Sequence, residues 1–101
     1  MKILTIVCRQ KFDDDVLVVF LDLGIKGYTV ISGAGGSGET GAVSATHGWT
    51  DRNTMFLVAL DDEHMIALVN GVKELYVRLM EEHHGREVPL KVFLQPCEVI
   101  V

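Results

Sequence analysis

Gly33, Gly35, Gly36, Gly38 and Gly41 place half of the chain's ten glycines within nine positions. Without Cβ atoms, such a run lets backbone N–H groups close around an anion. Gly33-x-Gly35-x-x-Gly38 also fits the dinucleotide fingerprint, with Asp61 and Asp62 downstream to meet a ribose hydroxyl. That chemistry needs a helix opening behind the last glycine, and residues 39–48 carry no helical apolar face. On the residues alone, a flexible glycine-rich loop is the better reading.

Other reactive side chains assemble less. His47, His64, His83, His84, Cys8 and Cys97 are potential metal ligands, but no C-x-x-C or H-x-x-x-H spacing joins them. Adjacent His83 and His84 point in different directions on a helix and read as a solvated helix end. Asp13, Asp14 and Asp15 could hold a hard cation, although capping explains them more simply. Ser32, Ser37 and Ser44 lack a G-x-S-x-G setting, so the residues point away from an enzyme. Trp49 stands alone in a polar loop, either tucked onto its own sheet or anchoring a partner. Arg9, Lys11, Arg86 and Lys91 are the cations that could approach the glycine loop. Arg86 and Lys91 are the two chosen for testing.

The elements that position these residues follow from apolar periodicity. Residues 2–8 are apolar on both faces and rich in β-branched side chains, which predicts a central strand. The three aspartates offer an N-cap and first-turn carboxylates for a helix to about Leu23, with Val16, Leu17, Phe20 and Leu23 on one face and Gly24 as its stop. Residues 26–32 form a second strand, 33–52 a loop, and 53–60 a third strand. Asp61 and Asp62 cap a long helix with Met65, Leu68, Val69, Val72, Leu75, Tyr76 and Leu79 at spacings of three and four. Gly85 ends it. Residues 90–94 make the last strand, and Pro96 interrupts the chain beyond it.

The order β-α-β-β-α-β specifies an α+β ferredoxin-like sandwich, an antiparallel sheet with two helices on one face. At 101 residues the chain is read as a single domain, 1–101. Strands this apolar on both faces leave one sheet face needing cover, which another copy would supply. A net charge of −5 and the absence of a basic stripe argue against nucleic acid as a partner. No apolar run approaches the roughly 18 residues of a membrane span. Cys8 and Cys97 read as reduced thiols of a cytoplasmic protein, and the N-terminus lacks a cleavage pattern for export.

The stretch Gly24-Ile25-Lys26-Gly27-Tyr28-Thr29-Val30 resembles the G-I-x-G-x-T-V signature of the PII-like signalling proteins. Lys2-Ile3, the entry of the first helix at Phe12 to Asp15, Gly35 and Gly41 at the base of the family's T-loop, Val58-Ala59-Leu60-Asp61-Asp62 and Lys91-Val92-Phe93 extend the likeness. The resemblance implies a homotrimer with the sheets packed inward and a small anionic effector in clefts between subunits, an adenine nucleotide among the candidates. It implies that residues 33–53 signal to a partner protein, membrane-associated or not. Thr29 would contact the ligand through its hydroxyl, Gly35, Gly36, Ser37 and Gly38 through their N–H groups, and Arg86 or Lys91 would neutralise charge across the subunit boundary. CutA-like trimers, associated with divalent metals, supply the alternative, with His47, His83, His84 and Cys97 as the discriminating residues.

The sequence departs from the family in four places. The T-loop is shorter and has no tyrosine, the loop before Lys91 is reduced, and no arginines follow the last strand. Glycine and small polar residues bury too little surface to offset about 1–2 kcal/mol of ordering entropy per residue. Residues 35–54 are therefore expected to be mobile until an effector or partner orders them.

Overall fold

The fold was obtained as a computed structural model, which describes residues 1–38, 41–43 and 52–101. Strand β1 (Lys2–Arg9) passes through a 3₁₀ turn at Gln10–Phe12 into helix α1 (Asp13–Asp22). Strand β2 (Thr29–Ala34), a short hairpin of β3 (Gly36–Gly38) and β4 (Gly41–Val43), and strand β5 (Asn53–Leu60) follow. Helix α2 (Asp62–Glu82) and strand β6 (Leu90–Pro96) complete the order. The main sheet runs β2-β5-β1-β6, with all its neighbours antiparallel. This is the ferredoxin-like arrangement expected from the sequence.

The strands alternate as the pleat requires. Leu4, Ile6 and Cys8 of β1, with Phe56 and Val58 of β5, are buried against the helices. Val16 and Phe20 from α1 and Met65, Leu68, Val72, Leu75 and Leu79 from α2 close that core. Phe20 meets Phe56 edge to face at 5.6 Å, a geometry that aligns ring edge with ring face. The helices approach closely at Gly71, where a Cβ would sit 3.1 Å from both Leu23 Cδ1 and Val19 Cγ1. Tyr76, placed in the apolar stripe by spacing, is instead exposed at the flank of β6.

Several boundaries differ from expectation for physical reasons. Helix α1 begins without a side-chain cap, because the 3₁₀ turn feeds the chain into the helix through buried Phe12. Asp13, Asp14 and Asp15 lie in its first turn, where carboxylates complement the dipole as the sequence suggested. Asp61 does cap α2, accepting the His64 backbone N–H at 2.8 Å. Strand β2 starts at Thr29, later than expected, and runs to Ala34 through an irregularity between Ile31 and Ala34. Gly33 adopts φ +73° there, a conformation that a side chain would resist. Pro96 does not interrupt β6, because β6 is an edge strand and can spare an N–H. Part of the stretch read as loop, 36–38 and 41–43, pairs as a hairpin. Among the described residues, no helix is long and apolar enough to cross a membrane.

Candidate functional site

The residues singled out by sequence lie at two edges of one sheet. Thr29 opens β2, and Gly35 to Gly38 continue from it into the hairpin, where Ser37 pairs with Ala42. Lys91 lies on β6 at the opposite edge. Three strand spacings, about 14 Å, separate β2 from β6. Register shows which face each side chain takes, since directly opposed residues share a face. Thr29, Leu57, Thr5 and Phe93 form one row across the sheet, and Ile31, Met55, Val7 and Lys91 form another. Both rows lie on the face away from the helices, so Thr29 and Lys91 face the same way from opposite edges. Arg86 sits in the turn after α2, with its N–H donating to the His83 carbonyl at 3.0 Å. That turn forms because His84 and Gly85 both take positive φ, +55° and +76°.

The root of the loop holds a cation that the sequence reading missed. Arg52 enters β5, and its carbonyl accepts the Gln10 N–H at 2.9 Å. Its side chain runs along Gly33, with Cδ and Nη1 each 3.7 Å from where a Cβ would stand. That is ordinary contact distance, so the positive φ of Gly33 rather than crowding is what calls for glycine there. Arg52 Nε is buried and has no hydrogen-bond partner among the described residues. The available signal was that Arg52 is the one cation between Lys26 and Lys73.

Behind Arg52 lies a small polar cluster. Thr54 is wholly buried, opposite Cys8 in the ladder, and Asp13 lies beside it at the start of α1. Burial raises the Asp13 carboxyl above its ordinary value, Thr54 draws it down, and Asp14 adds to the rise. The Thr54 hydroxyl and Asp13 Oδ1 miss hydrogen-bonding geometry, so burial prevails. Burial, with Asp13 and Asp15 nearby, pushes the Cys8 thiol up to about 12. At neutral pH it is a protonated, inert thiol.

The native state therefore holds the Asp13 proton more tightly than the unfolded chain, and that contribution to stability falls as pH rises above the ordinary carboxylate value. Asp61 works in the opposite sense. The His64 backbone N–H, then its ring, hold Asp61 low, and the stability this gives is lost as pH falls through the lowered value. Asp13→Asn removes only the first effect. The difference in Tm between variant and parent is expected to become more positive from pH 3 to pH 7. Thermal melts at both values check this, and a constant difference would refute it.

Of the alternative metal ligands, His47 lies outside the described residues, as does Trp49. His83 Nδ1 lies 2.8 Å from the Leu79 carbonyl, and its ring meets Phe12 at 5.7 Å. No three His, Cys, Asp or Glu side chains converge among the described residues. Of the stretch expected to be mobile, residues 39, 40 and 44–51 also lie outside the described residues.

Comparison with known proteins adds to this geometry. The family model described as nitrogen regulatory protein P-II matches residues 1–100. Among solved structures, the chain is similar to CPII, a nitrogen regulatory PII-like protein from Thiomonas intermedia K12, bound to ADP, AMP and bicarbonate. The TM-score is 0.72 at 20% identity, covering 93% of this chain and 82% of that one. The same protein bound to ADP and bicarbonate gives a TM-score of 0.71 at 21% identity, with 93% and 82% covered. Its apo form gives 0.60 at 21% identity, with 93% and 85% covered. No curated protein sequence matches.

Proposed function

The chain belongs to the nitrogen regulatory protein P-II family, and from that premise we propose that it is a PII-like sensor assembled as a homotrimer. Each cleft between subunits takes a small anionic effector, and residues 33–53 pass the binding state to a partner protein. The observation that carries this reading is the sheet order. It places Thr29 and the glycine run on one edge and Lys91 on the other, facing the same way and about 14 Å apart. A small ligand touching both sets draws them from two copies.

The roles follow from the chemistry of each group. N–H groups of Gly35, Gly36, Ser37 and Gly38 line the anion, and Arg52 at the loop root supplies the near positive charge. The Thr29 hydroxyl offers a hydrogen bond, and Lys91 and Arg86 add charge from the neighbouring copy. The apolar face of Ile3, Val7, Met55, Leu57 and Phe93 turns inward between subunits, removing it from water.

CPII carries ADP, AMP and bicarbonate in its structures, so these are the first ligands to try. A ligand at a hundred times its Kd stabilises the folded state by about 2.7 kcal/mol. For a domain of this size that is a rise in Tm of about 10 °C or more. Thermal melts with each compound are expected to show such a rise for at least one. Flat melts with all three would remove the effector reading.

A further inference from the structure

On the helix side of β6 the core stays open. Leu4, Val72, Tyr76, Val77, Val92 and Leu94 line a groove of about 720 Å³ between α2 and β6, with Lys73 and Lys91 at its border. The sheet order ends at β6, so its outer edge pairs with no strand among the described residues. An unpaired edge beside an apolar groove has what an added strand needs, main-chain partners and a seat for alternate side chains.

The chain also carries an apolar segment with nothing to cover it. After Pro96, residues 98–101 read Glu-Val-Ile-Val, with Val99 67% and Ile100 88% exposed and Val101 fully so. The Cys97 N–H still donates to the Met1 carbonyl at 3.3 Å, so the chain is travelling alongside β1 as it leaves the sheet. The residues beyond continue past the sheet's end. Residues 98–101 follow β6 almost directly, and lying parallel to that same strand would need a crossover of a dozen or more residues, so the β6 they can run beside in parallel belongs to a second copy.

The side-chain alternation fits that seat. With Val99 and Val101 turned into the groove beside Val92 and Leu94, Glu98 and Ile100 fall on the other face of the added strand. There β6 presents Lys91, which pairs across to Val7, and Phe93, which pairs to Thr5. One register thus sets an acid near a lysine and an aliphatic side chain near an aromatic ring.

We propose that residues 98–101 of one copy add as a strand to the β6 edge of a second copy, seating Val99 and Val101 in the groove between α2 and β6. The contact is head-to-tail, and three copies related by a threefold axis close it into a ring. Glu98 then shares Lys91 with any anion in the cleft. The exchange goes beyond the effector reading and requires no ligand.

Cross-linking in trans tests it. In a Cys97→Ser background, one tagged chain carries Val99→Cys and a differently tagged chain carries Val77→Cys on the groove wall. Cys8 is buried and stays protonated, so it does not compete. Co-expressed and treated with a short bismaleimide, the two are expected to give a product containing both tags, absent when either is expressed alone. Adding Val101→Asp to the Val99→Cys chain is expected to cut that product at least tenfold. Linkage confined to a single chain carrying both cysteines would overturn the proposal. So would the absence of linkage, whether the groove cysteine reacts freely with a monomaleimide or is shielded by another segment.

Discussion

Leu57→Asp is expected to leave a folded chain that runs at monomer mass by light scattering at micromolar concentration, where the parent is expected to run as a trimer. Leu57 stands in the middle of the uncovered sheet face, opposite Thr5 on one side and Thr29 on the other. It is half-buried in a single chain, so a carboxylate there keeps water as long as the chain stays alone. Strand propensity opposes the change by no more than about 1 kcal/mol, small beside a usual stability of about 5–15 kcal/mol. In a trimer with its sheets turned inward, the same carboxylate loses water and finds no partner. An unpaired buried ion costs several kcal/mol. Even about 4 kcal/mol is three orders of magnitude in an association constant. Leu57→Ala removes contacts without adding charge, and it should weaken assembly far less. Retention of the parent mass by the aspartate variant would place the interface elsewhere.

The helix face of this fold was legible because its signals are local and periodic. Met65, Leu68, Val72, Leu75 and Leu79 recur at helical spacing and are all buried, and Asp61 and Gly85 mark the ends of α2 as their chemistry suggests. The alternation of Leu4, Ile6 and Cys8 was hidden, because Ile3 and Val7 between them are apolar too. A run that is apolar on both faces reads as central, but it does not tell which face meets the helices. The start of α1 was misjudged because any of three consecutive aspartates can cap, and only the position of buried Phe12 decides that none does. The hairpin of β3 and β4 was missed because glycine has low strand propensity, and backbone pairing there owes nothing to side-chain pattern.

The candidate site was legible only in part, for a different reason. Thr29, the glycine run and Lys91 were visible as residues, but their distance depends on strand order. Arg52 lies 19 residues from Gly33 in sequence, and the pairing of β2 with β5, Ala34 opposite Asn53, brings its guanidinium against that glycine. The Asp13 and Thr54 pair is likewise a product of topology, since register rather than spacing sets Thr54 opposite Cys8.

A site shared between copies makes a quantitative demand on mixed trimers. Lys91→Ala removes a charge-assisted contact of about 1.5–3 kcal/mol and should weaken effector binding by about 10- to 150-fold. Ser37→Asp puts a carboxylate among the loop N–H groups, where it repels an anion and occupies the donors itself. Ser37 is exposed on the hairpin, away from the main sheet, so the trimer should persist. At the ligand concentration that stabilises the parent by about 2.7 kcal/mol, each variant alone should show a clearly smaller thermal response, at most about half for the tenfold weakening. Refolded together in equal amounts, they should recover part of the loss. A cleft that takes its loop from one copy and its lysine from the next is intact when the first carries Lys91→Ala and the second Ser37→Asp. Random assembly makes that arrangement at about one half times one half, a quarter of all clefts. Isothermal titration should therefore find tight sites at about a quarter of the parent's stoichiometry. If loop and lysine served the ligand from the same chain, every chain in the mixture would carry a lesion. The tight sites would then be missing altogether, and the two-copy cleft would have to be given up.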